Sequence, residues 1–293
     1  MTNGQHLLDF ERCFIAQLPV EVMSSLIAAV LGAALGTGGH ALETAAEALS
    51  WLTEVFQGEG PLPAASPELQ LQALMHRLAR SVIRVARPLW DSLSAYLIVN
   101  GSTPEAAVES ILGEGVGVIQ WREKSLPMTQ QLRQARRLRE KCYKAGALFL
   151  VNDRIDLAMA TEADGVHLGQ TDMPTVEARA LLGPHAIIGA SCARAEEVTF
   201  AEEADYLGTG PLYPTQSKSD AGIPVGLAAI GRLKALQWPI IGIGGITLER
   251  VAPVIDAGAC GVAVISAVLD APVPALAARA LLQEVRRARD GGR

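Results

Sequence analysis

The chain has 293 residues, 49% hydrophobic and 19% charged, enough to bury a barrel-sized core with a small addition. A net charge of −6 and an aromatic content of 4% exclude a protein that lives on nucleic acid, so phosphate binding is expected to be local and aimed at small molecules. Four scattered cysteines (Cys13, Cys142, Cys192, Cys260) lack the short spacings that ligate zinc and read as ordinary cytosolic thiols.

Residues 1–93 carry helical periodicity at 7–17, 20–35, 42–56 and 68–93, with a Pro- and Gly-rich break at 58–67 and no convincing strand. This region is expected to be an all-helical N-terminal extension. Its longest apolar run, 22–35, is too short to span a bilayer and follows Asp9, Glu11 and Glu21, unlike the basic start of a secretory signal. A cytoplasmic protein without membrane or nucleic-acid partners is therefore expected. Arg77, Arg80, Arg84 and Arg87 read as a solvated helix face, and Gly36-Thr37-Gly38-Gly39 lacks the preceding strand and lysine of a phosphate loop.

From residue 94 onward, apolar runs at 95–99, 117–121, 147–151, 165–168, 186–189, 206–209, 239–243 and 261–265 alternate with helical patterns at 104–112, 129–145, 175–182, 195–203, 227–236 and 248–257. Eight continuous apolar strands between helices predict a parallel sheet covered on both faces, most compactly an α/β fold of the (β/α)8 TIM-barrel type over residues 94–293. An open doubly wound sheet is the alternative on pattern alone. In the barrel, chemistry belongs at the C-terminal strand ends.

Several of these ends carry it. In Gln120-Trp121-Arg122-Glu123-Lys124 the period of two puts Gln120, Arg122 and Lys124 on one face, a grip for a phosphorylated ligand; Trp121 and Glu123, opposite, are left to packing between barrel and helices. A lone Arg-x-Lys is more commonly a solvated strand end. Asn152-Asp153 and Asp172 follow the third and fourth strands, and two carboxylates beside those cations suit Mg2+. His167 has no His or Cys partner at ligand spacing and reads as packed or locally hydrogen-bonded. Ser191, after the fifth strand, reads as a binding hydroxyl, and Cys192 as a structural thiol. The long 208–218 loop, with Thr215, Ser217 and Lys218, is expected to close over a substrate. Gly244 and Gly245, after the seventh strand, and Ile265-Ser266, after the eighth, form a second expected anion region, because glycines let an anion approach backbone N–H groups.

Gln120-Trp121-Arg122-Glu123-Lys124, Val151-Asn152-Asp153, His167-Leu168-Gly169-Gln170-Thr171-Asp172, Gly210-Pro211-Leu212-Tyr213-Pro214-Thr215 and Gly242-Ile243-Gly244-Gly245-Ile246 together resemble thiamine phosphate synthases over about residues 95–270. The resemblance implies a transferase that couples hydroxymethylpyrimidine pyrophosphate to thiazole phosphate with release of pyrophosphate. It implies Gln120, Arg122, Lys124 and Asn152 around the pyrimidine pyrophosphate and Asp153 and Asp172 around its Mg2+. Ser191 and Lys218 would touch the pyrimidine and leaving group, and Thr215, Ser217, Gly245, Ile265 and Ser266 would place the thiazole phosphate. Arg122, Lys124, Ser191 and Lys218 are thus the candidate catalytic residues. Three departures stand out: Ser217 replaces a common second Thr, Ala193 replaces a frequent His, and the loop after the first strand is short. A thiazole tautomerase, which needs a His near Ala193, and a silent barrel acting through its extension are the alternatives. For residues 1–93, self-association into a homo-oligomer or docking to another enzyme is set against simple packing.

Overall fold

All eight expected runs form strands in the computed structural model, which describes residues 93–183, 186–215, 217, 222–234 and 238–291. The expected helices of residues 1–92, the Gly36–Gly39 stretch and the four spaced arginines lie outside the described residues. The unit that holds the barrel spans Leu89–Arg293.

The strands are β1 (Ala95–Val99), β2 (Val118–Trp121), β3 (Leu148–Asn152), β4 (Gly165–Leu168), β5 (Ile187–Ser191), β6 (Tyr206–Thr209), β7 (Ile240–Ile243) and β8 (Gly261–Val264). Each pairs in parallel with the next, and β8 returns to β1, so the sheet closes as a barrel. Closure explains the unbroken apolar runs. One side of every strand fills the barrel, with Tyr96, Ile98, Val118, Leu148, Leu150, Ile187, Tyr206 and Ile241 in a single interior cluster. The other side, including Leu97, Ile119, Trp121, Phe149, Ile188 and Leu207, packs in the layer beneath the helices.

Register carries this alternation around the barrel. Gln120 stands beside Ile98 and Leu150, Asn152 beside His167, His167 beside Gly189, and Ser191 beside Gly208. Residues paired across adjacent strands share a face. The inward set that is apolar at the bottom therefore turns polar toward the C-terminal ends.

The surrounding helices are α1 (Glu105–Gly113), α2 (Met128–Lys144), α3 (Ile155–Thr161), α4 (Thr175–Leu182), α5 (Ala228–Lys234), α6 (Leu248–Asp256), α7 (Ser266–Leu269) and α8 (Pro274–Gly291). Helices α3, α7 and α8 fall outside the helical patterns singled out in the sequence, although an eightfold βα alternation implies helices between its strands. The first two are one or two turns long and too short for a periodic signal to stand out. In α8, buried Ala278, Leu281, Leu282, Val285 and Ala288 give the three- and four-residue spacing of an amphipathic face. Arg279 of α8 makes a bidentate bond to Glu114 at 2.6 and 2.9 Å, tying it to the end of α1. The expected 195–203 helix is instead a 3-10 helix over Ala195–Ala201, where Val198, Thr199 and Phe200 disfavour a full α-turn and Glu197 Oε2 accepts the N–H of Ala193 at 2.7 Å.

Glu123 corrects the expectation that it merely packs. Its carboxylate accepts the Gly101 N–H at 2.9 Å, the Ser125 N–H and Oγ at 2.6 Å each, and the Leu126 N–H at 3.1 Å, joining the loops after β1 and β2. Burial alone would raise its pKa, but the bonds from Ser125, Gly101 and Leu126 outweigh burial and hold it at about 2. The short loop after β1 is further tied by Asn100 Oδ1, which accepts from Ser102 N at 3.0 Å and Ser102 Oγ at 2.7 Å.

Two predictions follow from this packing. A Cβ at Gly165 would lie 1.8 Å from the Ile187 carbonyl oxygen, so Gly165→Ala is expected to cost about 3 kcal/mol, read as a lower urea midpoint. A carboxyl with a lowered folded pKa stabilises above its unfolded value and loses that contribution as pH falls through the folded one. The stability advantage of the native chain over Glu123→Gln should hold above pH 4.5 and shrink toward pH 2 in unfolding curves taken across that range.

Candidate active site

The polar residues at the strand ends form two regions at one mouth. In the first, Gln120 is buried at 2% exposure, Arg122 and Asn152 are half-buried, and Lys124 is exposed. Of the three in the Gln120, Arg122 and Lys124 set, only Gln120 lies within β2, on its inward face; Arg122 and Lys124 follow the strand's end at Trp121, in the loop, and burial falls from Gln120 to Lys124 toward the rim. Asp153 follows Asn152 at a positive φ of 62°, which reverses the chain at the end of β3; its N–H donates to the His167 carbonyl at 2.9 Å. Lys124 Nζ lies 3.8 Å from Asp153 Oδ2.

Asp172 Oδ2 accepts the Gly169 N–H at 2.6 Å, and the Asp172 N–H returns to the Gly169 carbonyl at 3.1 Å, so the loop after β4 holds this carboxylate against its own backbone. Asp153 and Asp172 meet. Burial, and then the hydrogen bond and charge of Asp172, push the Asp153 pKa up to about 6, while Lys124 and Arg122 pull it the other way. Two carboxylates brought together in this way need a shared proton or a cation between them. Among the described residues no group of three or more His, Cys, Asp and Glu could hold a metal, so a cation at this pair would complete its shell with oxygens from water and substrate.

Between the regions lies Ser191, whose Oγ is 2.9 Å from His167 Nε2. His167 is thus locally hydrogen-bonded, as expected, but its partner is a candidate site residue, and its Nδ1 faces Tyr206 Oη at 3.0 Å. Reading His167 alone missed this. The signal lay in strand parity, since His167, Ser191 and Tyr206 all fall on inward positions. Gln170, also not singled out, donates from Nε2 to the Ser191 carbonyl at 2.6 Å and steadies the end of β5. Burial and the charge of Glu197 push the Cys192 thiol up to about 11, in keeping with a structural thiol rather than a nucleophile.

In the second region Ser217 Oγ and Ser266 Oγ are 3.0 Å apart, and the Ser217 N–H donates to Thr215 Oγ1 at 3.3 Å. Ile265 precedes α7, and Gly244 and Gly245 adopt φ of 93° and 64°, a left-handed conformation suited to glycine. A side chain at Gly245 would lie 2.5 Å from the Pro214 carbonyl. The loop after β6 sits this close because Leu212 N–H donates to the Ile243 carbonyl at 2.8 Å and Tyr213 N–H to the Gly244 carbonyl at 3.1 Å. Arg250 clamps the junction, donating to the Gly245 carbonyl at 2.6 Å with its guanidinium 4.4 Å from the Tyr213 ring centroid. The expected closing loop is therefore docked onto β7 at least through Tyr213; Lys218 lies outside the described residues.

With this geometry in place, the relatives are informative. The model of the family described as thiamine monophosphate synthase matches residues 95–268. The chain is 49% identical over 281 residues to the thiamine biosynthesis bifunctional protein ThiM/ThiE of Symbiobacterium thermophilum, a match covering 91% of this chain but 58% of that protein. It is 46% identical over 210 residues to the thiamine-phosphate synthase of Moorella thermoacetica, covering 69% of this chain and 99% of that one. Among solved structures, thiamine phosphate pyrophosphorylase from Pyrococcus furiosus superposes with a TM-score of 0.62 at 36% identity, over 68% of this chain and 98% of that chain. The chain belongs to the thiamine monophosphate synthase family.

Proposed function

We propose that the chain is a transferase that joins 4-amino-2-methyl-5-hydroxymethylpyrimidine pyrophosphate to 4-methyl-5-(2-phosphoethyl)thiazole, giving thiamine phosphate and pyrophosphate. The observation that carries this reading is the pair of polar clusters at one barrel mouth, one with Arg122, Lys124 and two carboxylates and one with Ser217, Ser266 and two glycines, with a hydroxyl, Ser191, on the strand end between them. We assign the activity to residues 94–293 and a cytoplasmic location to the protein; among the described residues no helix is long and apolar enough to cross a membrane. A role for residues 1–93 in self-association or docking is a further proposal.

Gln120, Arg122, Lys124 and Asn152 hold the pyrimidine pyrophosphate. The Asp153 and Asp172 carboxylates fit Mg2+, which typically binds one or two carboxylates plus phosphate oxygens and water. When bound, Mg2+ would help neutralise the charge that gathers on the departing pyrophosphate.

Arg122 and Lys124 serve the same charge from the protein side. The bond between the pyrimidine methylene and the pyrophosphate oxygen breaks with its electron pair leaving on oxygen. The thiazole nitrogen lone pair then forms the new carbon–nitrogen bond, and no protein nucleophile is consumed. Thr215, Ser217, Gly245, Ile265 and Ser266 fix the thiazole phosphate so that its nitrogen faces that carbon, while Ser191 and Lys218 contact the pyrimidine and leaving group. Catalysis is then chiefly positioning.

Incubation with both substrates and Mg2+ should yield thiamine phosphate and pyrophosphate in equal amounts; binding of both without product would overturn the reading in favour of a silent barrel. Lys124→Ala should lower kcat about a hundredfold in steady-state assays. Ser266→Ala should raise KM for the thiazole phosphate about fivefold, with KM for the pyrimidine pyrophosphate unchanged.

A further inference from the structure

A chain of hydrogen-bonded side chains crosses the barrel interior from β2 to β5. Gln120 Nε2 donates to Tyr96 Oη at 2.5 Å, and Tyr96 Oη lies 3.0 Å from Tyr206 Oη. Tyr206 Oη lies 3.0 Å from His167 Nδ1, and His167 Nε2 lies 2.9 Å from Ser191 Oγ. Both ends of the chain are candidate substrate contacts. The three middle members, Tyr96, Tyr206 and His167, have no role in the mechanism above.

The barrel is shaped around this chain. A Cβ at Gly189 would lie 2.2 Å from Tyr206 Cζ and 2.5 Å from His167 Nδ1, and one at Gly208 would lie 2.8 Å from His167 Cε1. Tyr96 and Tyr206 are 2% and 0% exposed, inside an otherwise apolar cluster where isoleucine or leucine would fill the space without a polar cost. Burial pushes both phenols well above their ordinary range, so each stays a neutral hydroxyl with one proton to give.

One proton per hydroxyl makes the chain directional. With Gln120 Nε2 donating to Tyr96 Oη, the pattern that uses each proton once has Tyr96 donating toward Tyr206 and Tyr206 toward His167 Nδ1. An imidazole that accepts at Nδ1 carries its N–H at Nε2, which donates to Ser191 Oγ. The Ser191 proton is then left for a ligand. At the far end, Gln120 Oε1 is buried and has no hydrogen-bond partner among the described residues, leaving an acceptor for a ligand.

We propose that Tyr96, Tyr206 and His167 are positioning residues that fix the hydrogen-bond polarity of the site, holding Gln120 as an acceptor and Ser191 as a donor. The complementary ligand edge pairs a donor with an acceptor, as an aminopyrimidine does through its exocyclic amine and ring nitrogen. The ligand assignment rests on the synthase reading; the polarity does not. Turning the Gln120 amide over would reverse every bond and leave Ser191 an acceptor, so the direction of this chain is a specificity determinant.

The test is the tautomer of His167 in the full-length protein, read by NMR of 15N-labelled imidazole. The expected result is protonation at Nε2 with Nδ1 bare; protonation at Nδ1 with Nε2 bare would overturn the proposal. In steady-state assays, Tyr96→Phe and Tyr206→Phe should each raise KM for the pyrimidine pyrophosphate about tenfold and leave KM for the thiazole phosphate unchanged. The double variant should be no worse than Tyr206→Phe, because a relay broken once is already broken. Additive losses, or equal changes in both KM values, would mean that the tyrosines only support the fold. If the native chain made no thiamine phosphate, the synthase reading would fail while the imidazole spectrum still answered for the polarity.

Discussion

A closed parallel barrel leaves each strand residue two choices, inward or outward, and closure makes that choice common to all eight strands. Once β8 pairs with β1, shifting any one strand by a single residue would expose its apolar set to the wrong layer. Everything at the mouth inherits this constraint. Gln120, Asn152, His167 and Ser191 arrive side by side because their register partners share one face, although they are dispersed along the chain. The apolar interior below them, from Val118 to Ile241, holds that register.

Charge in the site is managed by placement more than by pairing. Gln120 goes deepest because an amide costs less to bury than a cation, while Lys124 stays at the rim with 54% of its side chain exposed. The Asp153 and Asp172 carboxylates face each other under the partial compensation of Lys124 and Arg122, an arrangement held against repulsion by backbone bonds at Gly169 and by the reversed chain at Asp153. Glu123 shows the opposite treatment. Four donors converge on one carboxylate, which stays ionised and locks the loops that flank Arg122 and Lys124.

The second region is built from backbone approach. Gly244 and Gly245 allow the loop after β6 to lie directly on the end of β7, where Arg250 covers the junction through a carbonyl and an aromatic face. Ser217, in the loop after β6, and Ser266, the first residue of α7, are 49 residues apart in the chain, yet their hydroxyls meet at the mouth.

The sequence by itself determined the succession of strands and helices and which polar residues stand at the strand ends, while pattern alone left an open sheet beside the barrel. Eight apolar runs between helices, with Gln120-Trp121-Arg122-Glu123-Lys124 at one strand end and paired acids after the next two, carry their meaning in local periodicity and chemistry. The short helices α3 and α7 escaped because one or two turns give periodicity too little length, and Ala195–Ala201 became a 3-10 helix where β-branched and aromatic residues crowd a full turn. What only the tertiary structure decided were the long-range partners. Glu123 reads as one more charged residue until Gly101 and Ser125 are seen to donate to it. His167 reads as a packed strand histidine until the closed barrel brings Tyr206 and Ser191 to its two nitrogens, and Tyr96 and Tyr206, 110 residues apart, meet only in the interior. A strand pattern says which way a side chain points; what it meets there is fixed by closure, which joins strands distant in the chain.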